Sequence, residues 1–442
     1  MTSTSNFKIA ILGAGTVGGG VARILLEQSE ALGGRAARTL ELAGIVDLFP
    51  AKCAASHGID RSLFCGDGDE LTPAQAKAET DRLLADPEID LVVETIGGSG
   101  DFIVGLTRSV LESGKHLVTA NKALLAKHGQ GLFKAAAENR KSIGFEAAVC
   151  GAIPIIKGIH ECFTGDEIIS ISGIFNGTSN YIMSKMEAEG QDFATALAAA
   201  QEKGYAEADP SLDINGGDAG HKLTILLRMV FGLDLAFDDL EVAGIEAIDS
   251  DDVGFADEMH GTVKLICYGE RRGDDVFAAV GPAIVKRSNL LSKIDGATNA
   301  VRLQNRYSDE NVLIGQGAGS LETGSAIVSD IVFIARYGDA ALRPPHRSSC
   351  KLRPLRELEL PCNIVFETAD MPGITGIVCT ALGRQNINID TVSHNRHMRD
   401  NALFAIATMP CTMAQVQAAV RSIQGEHPNV LLSEPRVMPI LV

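Results

Sequence analysis

Short apolar runs and longer periodic stretches alternate along the first 150 residues. Phe7 to Leu12 (FKIAIL) is an apolar run of strand length, followed by GAGTVGGG and then by the periodic VARILLEQ, which reads as strand, glycine turn, helix. A polar, glycine-containing stretch from Ser29 to Arg38 precedes a second strand, Leu40 to Val46, which ends at Asp47. Residues 67–90 form a charged helical stretch leading to a third strand, Ile89 to Glu94. A helix over Phe102–Ser113, a strand over His116–Thr119, a helix over Ala123–Asn139 and a strand over Ser142–Ala147 follow. This alternation predicts an α/β domain over residues 1–150, a doubly wound parallel sheet of Rossmann type.

Beyond Gly151 the pattern becomes mixed α+β. Glu167 to Phe175 is strand-like, helices are expected at 178–189, 192–203 and 216–231, and strands near 263–269, 278–286 and 297–304. Residues 151–314 thus read as one mixed α+β domain. The stretch 315–340 starts glycine-rich, continues as a helix and is expected to return to the first domain. Residues 341–355, rich in proline and basic residues, form a linker candidate. The last segment, 356–442, reads as strand–helix–strand–strand–helix–strand. Its first helix has Ile374, Ile377, Val378, Ala381 and Leu382 on one face, and its closing strand is expected near 429–434.

Composition narrows the function. No apolar run reaches the ~18 residues of a membrane span, and the polar N-terminus lacks secretory architecture. A formal charge of −17 speaks against a nucleic-acid partner. Nine cysteines, odd in number and without a CxxC pair, suit a reducing cytoplasm rather than a disulfide framework or a zinc site.

Gly13, Gly15 and Gly18 form GxGxxG at the first strand–helix turn. There Gly13 allows the tight turn, Gly15 lets the backbone approach a pyrophosphate and Gly18 lets helix and strand pack closely. Asp47, at the end of the second strand, is placed for the ribose hydroxyls of NAD, although it is equally an ordinary exposed aspartate. A second cluster, GYAEADPSLDINGGDAGHK (204–222), carries Glu207, Asp209, Asp213, Asp218 and Lys222. Asp218 and Lys222 are four apart at a helix start and share a face, as a surface ion pair would too. Asn121-Lys122 follows a strand at its C-terminal end, where open α/β sheets bind ligands, and GIFNGTSNYIM (173–183) is polar between apolar flanks. A nicotinamide enzyme acting on an alcohol would need a proton acceptor beside the hydroxyl. A lysine serves only if its pKa falls towards neutral, through partial burial or a second cation, which Lys122 could supply.

The segments GAGTVGGGV, VTANK, EAAVCGAIPII, GIFNGTSNYIM, GYAEADPSLDINGGDAGHK and GQGAGSLETGSAIVSDI occur here in the order seen in homoserine dehydrogenases, and the resemblance covers about residues 7–340. It implies reversible hydride transfer between L-homoserine and L-aspartate 4-semialdehyde with NAD or NADP, in threonine, methionine and isoleucine biosynthesis. It implies that Glu207 and Asp218, with Asp213 beside them, hold the amino acid. Lys222 would be the general acid/base and Lys122 would lie beside nicotinamide and substrate. Thr16, Val17, Thr95, Gly204 and Gly317 would line the cofactor together with the glycine turn. The loop with Glu146, Val149, Gly151 and Ile153 resembles the family's monovalent-cation site, possible for Na+ and built mainly from backbone carbonyls. The resemblance makes residues 151–314 the catalytic and dimerisation domain, and a homodimer or homotetramer is expected from the family. The chain departs from the family pattern at Glu322-Thr323-Gly324-Ser325, where Pro-Thr-Ala-Ser is usual. It departs again at Ala152, where a second glycine is common, and at Val46, where NADP-preferring members carry arginine.

Two other chemistries remain open at this point. An acylating semialdehyde dehydrogenase needs a thiolate, for which Cys150 is the candidate, and a non-enzymatic amino-acid sensor needs no catalytic set. The element order of 356–442, with DMPG at its first strand–helix turn, resembles an ACT domain. That resemblance implies pairing and amino-acid binding at Asp370–Gly373, with Asn388 on a neighbouring strand for the amino group and L-threonine as the effector; a purely structural dimerisation module is the alternative. His394 and His397 read as solvated.

Overall fold

The computed structural model of the chain describes residues 6–340, 348–394 and 401–441. His397 and residues 341–347 of the expected linker lie outside them. The chain forms two compact units, one from residues 1–168, 221–237 and 305–349, the other from 169–220, 238–304 and 350–442.

The first unit begins β1 (Asn6–Leu12), α1 (Thr16–Glu27), α2 (Ser29–Ala36), β2 (Thr39–Val46), α3 (Pro50–His57) and α4 (Pro73–Ala85). It continues β3 (Ile89–Glu94), α5 (Asp101–Glu112), β4 (His116–Thr119), α6 (Lys122–Glu138), β5 (Ile143–Gly144) and the short α7 (Ile155–Lys157). The five strands make a parallel sheet in the order β2-β1-β3-β4-β5. β1 and β3 are apolar on both faces because helices cover both. Two expectations change here. The polar, glycine-containing stretch Ser29 to Arg38, given no element from the sequence, forms α2 over Ser29–Ala36, whose Leu32 and Ala36 are buried while Ala37 closes it in the left-handed conformation. The strand expected over 142–147 keeps only two paired residues, because Glu146–Ala148 turn into a short 3-10 helix.

The second unit takes up β6 (Ile168–Ile174), α8 (Gly177–Glu189), α9 (Phe193–Glu202) and α10 (Ser211–Ile214). Helix α11 (Gly217–Phe231) follows, its first turn counting with this unit and the remainder with the first. Then come β7 (Glu241–Val242), α12 (Ser250–Glu258), β8 (Gly261–Arg272), β9 (Asp275–Lys286) and β10 (Thr298–Asn305). Strand β11 (Glu310–Gln316) and helix α13 (Ser320–Tyr337) belong to the first unit. There α13 packs against α1 through a line of small residues: a side chain at Gly20 would meet the Ser320 carbonyl oxygen at 2.5 Å, and one at Gly324 would meet the Gly20 carbonyl carbon at 3.2 Å. Gly324 therefore sits at a close helix crossing.

The C-terminal segment is β12 (Lys351–Pro354), β13 (Cys362–Ala369), α14 (Ile374–Arg384), β14 (Ile389–His394), β15 (Asn401–Thr408), α15 (Met413–Glu426) and β16 (Arg436–Leu441). Its strands lie in the order β16-β13-β15-β14, with α14 and α15 closing a core around Ile364, Phe366, Val378, Leu382 and Phe404. The linker expectation fails over Lys351–Pro354, which pair in parallel with β9. The closing strand lies at 436–441 rather than 429–434. The register beside Cys362–Val365 is filled by Pro439–Arg436, whereas Val430 turns into the helix core and Leu432 stays 48% exposed. β16 also pairs with β9 through Ile440 and Leu441, so the segment shares a sheet with β8 and β9 instead of standing apart.

Candidate active site

In the first unit β1 delivers the chain into the glycine turn. Gly13 has φ +91°, and a side chain there would lie 2.9 Å from the Thr95 carbonyl carbon. Gly18 has no room for a side chain, which would overlap the Gly13 carbonyl oxygen and come within 2.6 Å of Thr95 Oγ1. At Gly15 nothing lies within 4 Å, and Gly15 is the N-cap of α1 with no side chain capping it. The turn is thus tightly packed from below and open at Gly15, and no N-cap side chain satisfies any of the first helical N–H groups, as a pyrophosphate site requires. Thr16 and Val17 begin α1. Gly19 and Gly20, which the motif does not specify, are needed for packing as well: a side chain at Gly19 would overlap His57.

Beside the turn is a cavity of about 640 Å³, lined by Gly13, Gly15, Asp47, Phe49, Thr95 and Phe102 among others. Asp47 is fixed there by two backbone donors: the Ala14 N–H donates to its Oδ2 at 2.6 Å and the Phe49 N–H to its Oδ1 at 2.8 Å. Phe102 is 65% exposed, an apolar surface in the cavity wall. Among the described residues the one base in the lining is Lys77, which pairs with Asp81 at 2.5 Å. The open turn, the fixed acid and the apolar walls fit a dinucleotide.

At the C-terminal edge of the sheet, Asn121 caps α6 by accepting the Leu124 N–H at 3.0 Å, and Lys122, half-buried, is the first residue of that helix. Lys222 is 7% exposed on α11, one turn after Asp218. Arg228, further along α11, donates to the carbonyls of Leu125, Ala126 and Leu235 at 2.6–2.7 Å, fastening α6 and α11 together, and burial pulls its pKa down to about 10. The sequence reading missed Arg228, which an apolar helix pattern carrying one arginine could have flagged. Gly317 approaches Gly151: with Gly151 at φ +52°, a side chain there would lie 2.7 Å from the Gly317 oxygen.

The Glu146 loop is folded tightly. Its carboxylate accepts the Ile156 and Lys157 N–H groups at 2.8 and 2.9 Å, and its own N–H donates to Asp330 at 2.9 Å. Burial, and the nearby Asp330, raise the Glu146 pKa to about 7. The Ile153 carbonyl accepts the Ile155 N–H, whereas those of Val149 and Gly151 accept no backbone hydrogen bond among the described residues. Ala152 donates its N–H to Gln316, a bond alanine makes as well as glycine. Cys150 is fully buried, out of reach for a nucleophile attacking substrate.

In the second unit Asn176 joins two of the predicted carboxylates. Its Nδ2 donates to Asp213 at 2.7 Å and to Asp218 at 2.9 Å, while its Oδ1 accepts from Ser179 and so caps α8. Asp218 is 5% exposed. Glu207 and Gly204 lie on the exposed segment after α9, and Gly204 has φ +74°. Asn176 was missed as an individual residue, although its polar segment had been singled out.

Residues 13–146 match the family model of the homoserine dehydrogenase NAD-binding domain, and residues 154–332 that of homoserine dehydrogenase. A homoserine dehydrogenase of Neisseria gonorrhoeae is 35% identical over 427 residues, which span 94% of this chain and 95% of the relative. This chain belongs to the homoserine dehydrogenase family. Its fold is similar to the crystal structure of the homoserine dehydrogenase of Thiobacillus denitrificans, with a TM-score of 0.89 at 31% identity over 100% of this chain and 99% of that one. A hyperthermophilic archaeal homoserine dehydrogenase in complex with NADPH is also similar, with a TM-score of 0.60 and 26% identity over 74% of this chain and 97% of its own. The enzyme therefore carries an NAD-binding domain and acts on an amino-acid substrate. No helix among the described residues is long and apolar enough to cross a membrane.

The regulatory set does not converge. Asp370 and Gly373 lie at the turn from β13 into α14, whereas Asn388 lies beyond the far end of α14. Asn388 precedes β14 rather than lying on it, and its carbonyl accepts the Met409 N–H at 2.8 Å. An 11-residue helix is about 16 Å long, so Asn388 and the turn of one chain cannot grip one small ligand.

Proposed function

We propose that this homoserine dehydrogenase interconverts L-homoserine and L-aspartate 4-semialdehyde, with Lys222 as the acid/base, Lys122 beside the reacting carbon, and Glu207 and Asp218 as the amino-acid ligands. The nicotinamide cofactor, held by the Gly13–Gly18 turn, Asp47 and Thr95, supplies the hydride acceptor. The observation that carries the reading is the burial of Lys222 one turn from buried Asp218. An exposed ion pair would remain solvated, whereas a buried lysine amine can take the hydroxyl proton as the hydride leaves carbon and return it in the reverse direction. Asn176, by donating to both Asp213 and Asp218, keeps those carboxylates in fixed orientation. Gly204 and Gly317 would approach the cofactor through backbone alone.

Lys222→Ala is expected to lower kcat by about 10²-fold or more while cofactor affinity stays near wild type, the pattern of a lost general base. Steady-state turnover of homoserine together with a direct cofactor titration checks it, and a near-normal kcat overturns the assignment.

Three finer readings accompany it. NAD is accepted at least as well as NADP, supported by the fixed Asp47 and the acid-neutralised Lys77. A monovalent cation is held near the Val149 and Gly151 carbonyls, supported by the fact that, among the described residues, no loop or turn N–H donates to either. Residues 356–442 form an ACT-like module that lowers activity when an amino acid, L-threonine first, binds the Asp370–Gly373 turn. This last reading is supported by the βαββαβ strand order and by a helix N-terminus without a side-chain cap.

A further inference from the structure

A closed circuit of hydrogen bonds runs beneath the predicted chemistry, entirely within the first unit. It is centred on Glu94, the last residue of β3, which is 0% exposed. Its Oε1 accepts the Ile96 N–H at 2.8 Å and the Gly97 N–H at 2.9 Å. Its Oε2 accepts the Thr119 hydroxyl at 2.6 Å. Thr119 Oγ1 in turn accepts the Asn121 N–H at 3.0 Å, and Asn121 Nδ2 donates back to the Gly98 carbonyl at 2.6 Å. From the same loop Thr95 Oγ1 donates to the Gly13 carbonyl at 2.6 Å, tying the circuit to the glycine turn.

A carboxylate fixes the direction of this circuit, because it can only accept. Thr119 must spend its single proton on Glu94, which leaves its lone pairs to receive the Asn121 N–H. Asn121, held at N–H and side chain, then sets the start of α6, where Lys122 is the first residue. Gly97 and Gly98, at φ +86° and +84°, let the intervening loop fold back onto the acid. Burying a charge for loop closure alone is costly where a neutral acceptor would do.

We propose that Glu94 is a positioning residue for hydride transfer: through Thr119 and Asn121 it aligns Lys122 with the cofactor turn that Thr95 anchors. The inference rests on the reading that Lys122 lies beside the chemistry. Glutamine at 94 can still accept from Ile96 and Gly97, but its amide N–H groups would meet Thr119 Oγ1, whose proton then loses its acceptor.

The test compares Glu94→Gln, Thr119→Val, Thr119→Ser and Lys122→Met in the full-length enzyme. The measurements are melting temperature, cofactor Kd by titration, kcat against pH, and the primary isotope effect with deuterated reduced cofactor. Glu94→Gln and Thr119→Val are expected to lower kcat 10- to 100-fold, to shift the kcat–pH profile and to raise the isotope effect, with cofactor Kd changed less than about threefold. These magnitudes are of the order expected for misaligned reactants. Thr119→Ser, which keeps the hydroxyl, is expected to recover most of what Thr119→Val loses. If Glu94→Gln does not fold, the threonine pair decides. An unchanged kcat, pH profile and isotope effect, with only a lower melting temperature, overturns the proposal. If Lys122→Met itself retains full kcat, the underlying reading fails instead, whatever the Glu94 and Thr119 variants do.

Discussion

The turn after β1 and the turn after β13 share a local plan. Each carries a strand through a glycine at φ +91° into a helix whose N-terminus has no side-chain cap. Their surroundings differ completely. At the first turn, side chains added at Gly13, Gly18, Gly19 or Gly20 would strike Thr95, the Gly13 oxygen, His57 or Ser320. At the second, Gly373 and Gly376 have nothing within 4 Å. The first turn is held by packing and is open at Gly15, where a phosphate would come. The second is free on its outer side and borders a cavity of about 370 Å³ between α14 and α15. A glycine signature becomes a rigid anion cradle only where the rest of the fold presses against it.

Three substitutions separate the two turns, in descending order of expected effect. Gly18→Ala introduces a side chain that overlaps a backbone oxygen, so either the first turn shifts or the helix does. Cofactor affinity is expected to fall at least about tenfold, with a lower melting temperature, by analogy with overpacking costs of ~1–3 kcal/mol. Unchanged cofactor affinity would mean that the cradle does not depend on packing. Cofactor choice sharpens the same point. With Asp47 fixed at the turn, kcat/KM for NAD is expected to equal or exceed that for NADP, and Asp47→Ser to move the ratio towards NADP by about tenfold, the loss of one charge repulsion at close range. A clear NADP preference in the wild-type enzyme would show that the acid is not what the ribose meets.

The smallest effect is expected at the second turn. Gly373→Ala meets no atom, so it costs only the strain of a left-handed alanine, about 1 kcal/mol. Turnover without effector should stay near wild type, while L-threonine inhibition weakens by several-fold, within ordinary coupling energies of ~1–3 kcal/mol. Rate measurements with and without threonine, isoleucine, methionine and lysine, alongside calorimetry on the full chain, check this. No heat and no change in rate with any of them would leave the C-terminal segment as an assembly module, and the two turns would then differ in function as well as in packing.

Period and punctuation in the sequence were enough to place β1, β3, β4, α5, α6, α8, α11, α13, β13 and α14 to within a few residues, because each has an apolar face of the right period closed by glycine or a polar cap. The glycine turn, Lys122, Asp218 and Lys222 were legible as single residues, since charge at a helix start or strand end stands out against apolar flanks. Tertiary structure decided what those residues touch. Only register could move the last strand from 429–434 to 436–441, since both stretches are apolar enough and the choice is made by the partner beside Cys362–Val365. The separation of Asn388 from Gly373, by contrast, follows from the length of α14 lying between them and was open to reading from the sequence. The roles of Asn176, Arg228 and Glu94 were not legible for a different reason. A buried polar side chain is recognised by its partners, and for Glu94 and Arg228 these include residues 25 and about a hundred positions away along the chain. Sequence spacing carries no record of hydrogen bonds that distant; they exist only once the sheet and helices have brought their donors and acceptors together.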